Sequence, residues 1–329
     1  MNGVNLDAFQ FDYDLTFMSF FLNAKGQTYA RYGGREDAGP DTHLTQKSLA
    51  STMRRVLKLH EEGAAKPWSK YDPEPASTST PEQIPPMRRM LAKRKEKCIH
   101  CHDVKNAMLH DLASHGRLKK EMIFKYPSPK QLGIQLEADD QTKVRSVAAD
   151  SAASAAGVRR GDTISAVDKQ SVLTFADFTR VLEHAPESGN VRLGVKRRGQ
   201  DKDITIALKP GWRRSPDPSW RASTGVVGPN TGFWAKKLNS GQKRQQKIPP
   251  SKMGLKVVVV WGAWAKKAGV RNGDVVLGLD GENSDMTIRQ LQTHLQLSRN
   301  FGDSVDVTLL RGGKRRTLTM HLPAKGELD

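Results

Sequence analysis

The stretch Ala156-Gly157-Val158-Arg159-Arg160-Gly161-Asp162-Thr163-Ile164 returns 112 positions later as Ala268-Gly269-Val270-Arg271-Asn272-Gly273-Asp274-Val275-Val276. Similarity at a fixed offset marks a duplicated structural unit. In each copy small residues predict a short helix that ends on a glycine suited to a left-handed C-cap. A Gly-Asp turn then leads into an apolar strand. An acidic turn follows, at Asp168 and at Asp280-Gly281, and then a helix-period segment, over 175–184 and 288–297. A strand–turn–strand closes each copy, over 191–208 about Arg198-Gly199 and over 305–322 about Gly312-Gly313. Upstream lie two apolar strands, Leu132-Gly133-Ile134-Gln135-Leu136 and Met253-Gly254-Leu255-Lys256-Val257.

The Leu-Gly-Ile and Met-Gly-Leu loops, taken with the two A-G-V-x-x-G-D blocks, resemble the PDZ family in its bacterial form. The resemblance covers about residues 129–210 and 250–323. It implies peptide binding: glycine-loop amides meet a terminal carboxylate, and the ligand adds a strand beside a helix. Carried over by position, the peptide-binding residues are Leu132, Gly133 and Ile134, and Met253, Gly254 and Leu255. The pocket helices are 175–184 and 288–297. The opposing reading is that these glycines only make tight turns and the grooves are closed by the protein itself.

At 329 residues the chain is too long for one ordinary core. No apolar run reaches the length of a membrane-spanning helix. The net charge of +18 is concentrated. Residues 84–125 hold 11 Lys/Arg against 4 Asp/Glu, and residues 209–252 hold 10 against 1. These segments are expected to be solvated or to meet an anionic partner or membrane surface. Nucleic acid is the weaker expectation, because no recognition motif is legible and aromatics are not interleaved with the charges.

Both cysteines of the chain fall in Cys98-Ile99-His100-Cys101-His102. This is C-x-x-C-H, the spacing that joins two thiols to a c-type haem and offers the next imidazole to iron. Cys98, Cys101 and His102 are therefore expected to hold haem c. The second axial ligand would come from Met108, His110, His115 or Met122. Zinc is a competing cofactor, although no second C-x-x-C completes a four-ligand set. A dithiol redox site or two unmodified thiols are the remaining readings. Haem attachment implies an extracytoplasmic protein. The first residues carry neither a basic n-region nor an apolar h-region, so no signal peptide is visible and the start is expected to be truncated.

No protease is legible. His60-Glu61-Glu62-Gly63-Ala64 begins like H-E-x-x-H, but Ala64 stands where the second zinc ligand is needed. The 128 residues ahead of the repeat are too few for a serine-protease barrel. No catalytic site is expected. Near the start, 15–22 reads as a strand, 23–26 as a turn, 27–32 as a returning strand and 42–61 as an amphipathic helix.

That ending is similar to the second half of a thioredoxin fold. Phe9–Phe17 (FQFDYDLTF), CIHCH at 98–102, PGWRR at 210–214 and SWRAS at 219–223 together resemble a planctomycete-type family of thioredoxin-like/PDZ proteins, some of them selenoproteins. The absent first half is a departure from that pattern, and a UGA codon read as a stop would explain it. The expected fold class is multidomain and mainly α+β. It has two PDZ-like, partly open β-barrels with helices, preceded by a partial thioredoxin-like β-hairpin plus helix and an irregular haem-motif segment. The expected boundaries are 1–65 (thioredoxin-like), 66–86 (Pro/Ser/Thr linker), 87–128 (basic haem-motif segment), 129–210 (PDZ), 211–249 (basic connector), 250–323 (PDZ) and 324–329 (tail). The expected function is binding of protein or peptide C-termini or exposed strands, joined to haem electron transfer or redox sensing. A non-enzymatic tandem PDZ scaffold and a truncated thiol or selenol oxidoreductase are the competing expectations.

Overall fold

A computed structural model describes residues 1–63, 68, 71 and 79–324. Most of the expected linker over 66–86 and the end of the tail lie outside the described residues. The chain divides into two compact units, Met1–Pro216 and Asp217–Asp329.

The first unit opens with an antiparallel hairpin, β1 (Met18–Leu22) and β2 (Thr28–Gly33). Helix α1 (Gln46–Glu61) begins later than its apolar period predicts. Thr45 caps it, exchanging hydrogen bonds with Ser48 in a capping box. Helices α2 (Pro85–Lys93) and α3 (Cys101–Ser114) follow. They share an apolar cluster with the N-terminal residues Leu6, Phe11, Tyr13 and Leu15. The region expected as a free-standing haem segment is thus packed into a core.

The rest of the unit is β3 (Ile134–Leu136), β4 (Val144–Val147), α4 (Ala152–Ala155), β5 (Thr163–Val167), β6 (Gln170–Ser171), α5 (Phe175–Glu183), β7 (Gly189–Arg197) and β8 (Gln200–Leu208). β3 and β4 pair with each other, and a second sheet runs β6-β5-β7-β8. Alternation along β7 sends Val191, Leu193 and Val195 inward, where they meet Phe178, Val181 and Leu182 of α5.

The second unit contains β9 (Phe233–Lys237), α6 (Ser240–Gln245), β10 (Leu255–Val260), α7 (Ala263–Lys267), β11 (Val275–Leu279), α8 (Ile288–Ser298), β12 (Ser304–Arg311) and β13 (Lys314–His321). One antiparallel sheet holds them in the order β13-β12-β11-β10-β9. Residues 217–249, expected as a connector, lie in this unit: Phe233 and Ala235 of β9 are part of its core. The sheets of both units are open; among the described residues none closes into a barrel.

Candidate functional site

In the first unit, Gly133 takes φ of +93° between a short 3-10 turn (Pro129–Leu132) and β3. A Cβ there would lie 2.2 Å from the Ser151 side chain, so only glycine fits. Its carbonyl accepts from the Ala148 amide at 2.8 Å. That bond faces β4, so pleating turns the backbone amides of Ile134 and Leu136 to the opposite, unpaired edge. Leu132 and Ile134 are buried and share a core cluster with Phe175 and Leu182 of α5.

The chain's own residues 31–45 fasten onto the elements around this edge. Arg31 donates its amide to Asp177 at 2.9 Å, and its carbonyl accepts from Thr174 at 2.5 Å. Glu36 accepts from Ser128 at 3.0 Å, and Asp37 pairs with Lys130 at 2.6 Å. His43 stacks on Phe175 with ring centroids 3.7 Å apart. Gln141 ties the two together, donating to the His43 carbonyl at 2.8 Å and accepting from the Phe175 amide at 3.0 Å. Thr45 donates to Asp139 at 2.8 Å. The segment therefore spans from the glycine loop to the β3–β4 turn. Seven of the nine residues of α5 are buried. Complete burial pushes the Asp177 carboxyl up to about 6, against the pull of Arg31 and the amides of Arg31 and Leu173.

In the second unit the equivalent loop is not Met253-Gly254-Leu255. Leu255 starts β10 and pairs on one side with Lys237 and on the other with Val276. It has no free edge. Met253 is fully buried, and Gly254 accepts from Leu238. The strand that matches β3 is β9: Ile134 pairs with Val147, and Phe233 pairs with Val260. Gly232 matches Gly133. It takes φ of +71°, and its carbonyl accepts from Trp261 at 3.0 Å and Gly262 at 2.8 Å. An inserted helix, α6, separates β9 from β10, which is why apolar-Gly-apolar similarity near 254 misleads. The legible signal is Gly232-Phe233-Trp234-Ala235, with buried residues alternating. The Leu238 amide and Gly232 carbonyl both face β10, so the Phe233 and Ala235 backbone groups point to the other edge, where the Thr231 hydroxyl donates to the Phe233 carbonyl at 2.8 Å and accepts from its amide at 3.4 Å. Helix α8, capped by Thr287, packs beside β9.

The repeated aspartates serve the fold. Asp162 caps the Arg159 amide at 2.9 Å and receives Arg197 through two nitrogens, at 2.7 and 2.8 Å. Asp274 does the same with the Arg271 amide and with Arg311. Each arginine also donates to the carbonyl of the preceding block's glycine, Gly157 or Gly269. Burial raises the Asp162 carboxyl, but the Arg197 guanidinium and the Arg159 amide outweigh it and hold it below the usual range.

Cys98 is exposed and Cys101 half-buried, at the start of α3. Asn2 brackets Ile99 between them, accepting from its amide at 3.1 Å and donating to the Lys97 carbonyl at 2.8 Å. His102 stacks against His100 rather than facing another ligand. Met108 packs into the apolar cluster, His110 is exposed, and His115 ends α3, bonded to the Asp111 carbonyl. Met122 lies in a separate short turn (Lys120–Phe124). Met108, His110 and His115 thus share one helix, or its end, with His102, and Met122 does not. Among the described residues no three His, Cys, Asp or Glu side chains are gathered as a metal group. Burial pushes the Cys101 thiol up, the reverse of an activated thiolate.

Residues 143–197 match the family model for a PDZ domain. A curated relative, a probable periplasmic serine endoprotease of DegP type from Halomonas elongata, is 26% identical over 175 residues, 51% of this chain and 34% of that protein. The Do-like serine protease HtrA of Bacillus subtilis is 38% identical over 69 residues, 21% of this chain and 15% of that protein. The chain thus spans about a third of the first relative's length and less of the second. Among solved structures, the HtrA-type protease AlgW with decapeptide is 14% identical, with a TM-score of 0.27 over 50% of this chain and 55% of that one. A serine endoprotease from Yersinia pestis is 22% identical, with a TM-score of 0.22 over 24% and 28%. These findings overturn the expected haem and redox function, along with its scaffold and oxidoreductase competitors: the curated relatives are serine endoproteases. Among the described residues no helix is long and apolar enough to cross a membrane.

Proposed function

We infer that this chain grips extended polypeptide segments, serving in the manner of the substrate-recognition part of DegP- and HtrA-like endoproteases, in an extracytoplasmic compartment. The PDZ domain of the first unit supports peptide recognition as the class of activity. The observation that carries the finer reading is the unpaired edge of β9 behind left-handed Gly232, in the register of β3 behind Gly133. On this reading the second unit is PDZ-like as well. A ligand strand adds to β9 through the Ala235 backbone and displaces the Thr231 hydroxyl from Phe233, with Gly232 at the carboxylate end. The first groove is served by the chain's own 31–45 segment, in which Glu36 and Asp37 place carboxylates at the glycine loop. The second groove is then the working one.

The test is peptide-array binding by the full chain, followed by Ala235→Pro. Proline removes one edge amide and is tolerated on an edge strand. The expected result is at least a tenfold loss of peptide affinity; because Ala235 lies in the core, the unfolding curve of the variant is measured alongside and affinity is compared where both chains are fully folded. Peptides that bind wild type and Ala235→Pro equally, or no peptide binding at all, would sink the reading.

A further inference from the structure

One face of the β9–β10 pair lies on the core of the second unit, and the other should be polar. It is not. Trp234 pairs directly with Val259 across the strands, Val258 stands in the adjoining bulge, and Trp261 follows. Their exposures are 36%, 45%, 38% and 44%. Contiguous large apolar side chains left in water mark an interaction surface. The surrounding charge has one sign. Lys236 and Lys256 face each other across the same strands, and like charges directly opposite in a sheet repel. Lys266 and Lys267 in α7 are exposed after Trp261. From 218 to 273 the sequence has eleven Lys/Arg and no Asp or Glu.

We propose that this face docks on the surface of an anionic phospholipid bilayer. Trp234 and Trp261 enter the headgroup layer, where an amphipathic indole is most stable. Val258 and Val259 add apolar contact below them, and the lysine stems extend outward so that their ammonium groups meet lipid phosphates. An anionic surface also relieves the Lys236–Lys256 repulsion, which the protein alone does not. Single-stranded nucleic acid fits less well. It would use the rings for stacking but gain nothing from the two valines. Peptide capture uses the edge of β9 and not this face, so the two events are separable.

The test is co-sedimentation of the full chain with phosphatidylcholine vesicles containing about a third phosphatidylglycerol, against phosphatidylcholine alone. Binding is expected only to the anionic vesicles, with salt weakening it and tryptophan emission moving to the blue. Lys236→Gln/Lys256→Gln should weaken binding about 25-fold, at about fivefold per lysine. Trp234→Ser/Trp261→Ser should weaken it at least about tenfold. Quenching of wild-type tryptophan by brominated lipid supplies a readout that needs no variant. Absence of vesicle binding, equal binding by both variants, or no quenching would overturn the proposal. Binding of single-stranded DNA or polyglutamate that the tryptophan variant loses, without vesicle binding, would overturn it in favour of a soluble polyanion.

Discussion

His43 lies flat on Phe175, their ring planes 11° apart and centroids 3.7 Å apart. Phe175 is the first residue of α5, within the matched PDZ domain, and His43 comes from a segment well outside it. The N-terminal part of the chain is therefore built into the unit that holds the PDZ domain.

The stack sets the first expectation. His43→Ala should cost about 1–2 kcal/mol in urea unfolding, from the lost ring contact and the exposed Phe175. Hydrogen exchange of the first-turn amides of α5 should rise with it. Unchanged protection there would show that residues 31–45 do not hold the helix.

The Asp162–Arg197 clasp gives a pH dependence with a definite sign. The folded-state carboxyl titrates below its unfolded value, so its stabilisation is fully present above about pH 4. It is lost as pH falls through the depressed value. Arg197→Met should cost about 2 kcal/mol at neutral pH, discounted for the partly exposed guanidinium. Wild type loses this contribution in acid and the variant has none to lose, so the gap between them should close as pH falls through that range. Melting curves across the acid range distinguish this from a uniform loss.

Gly133→Ala should be among the more damaging single-methyl changes in the chain, at about 2–3 kcal/mol. The added carbon needs left-handed backbone and the space of the Ser151 side chain. A variant as stable as wild type in denaturant titration would mean the loop is not fixed by this contact.

The two thiols should differ in reactivity. Cys98, exposed, should alkylate faster than Cys101, whose thiol burial pushes up. Cys98→Ser should change stability by less than about 0.5 kcal/mol, whereas Ile99→Ala, between them, should cost about 3 kcal/mol. Equal labelling rates in a timed maleimide reaction would contradict the burial of Cys101.

Local pattern alone determined the duplicated blocks, the helices at Phe175–Glu183 and Ile288–Ser298 and the hairpins that follow them, because capping, period and turn chemistry act within a few residues. The cysteine motif was equally legible as a spacing, yet spacing does not say what stands above it. Asn2, almost a hundred residues earlier in the chain, hydrogen-bonds Ile99, and Leu6 and Phe11 share its apolar cluster. Tertiary structure also decided which glycine precedes the open edge. Met253-Gly254-Leu255 and Thr231-Gly232-Phe233 both read as a turn into an apolar strand. Only pairing shows that Leu255 has neighbours on both sides while Phe233 has one. Edge or interior is a property of the sheet rather than of the strand, so no window of sequence contains it.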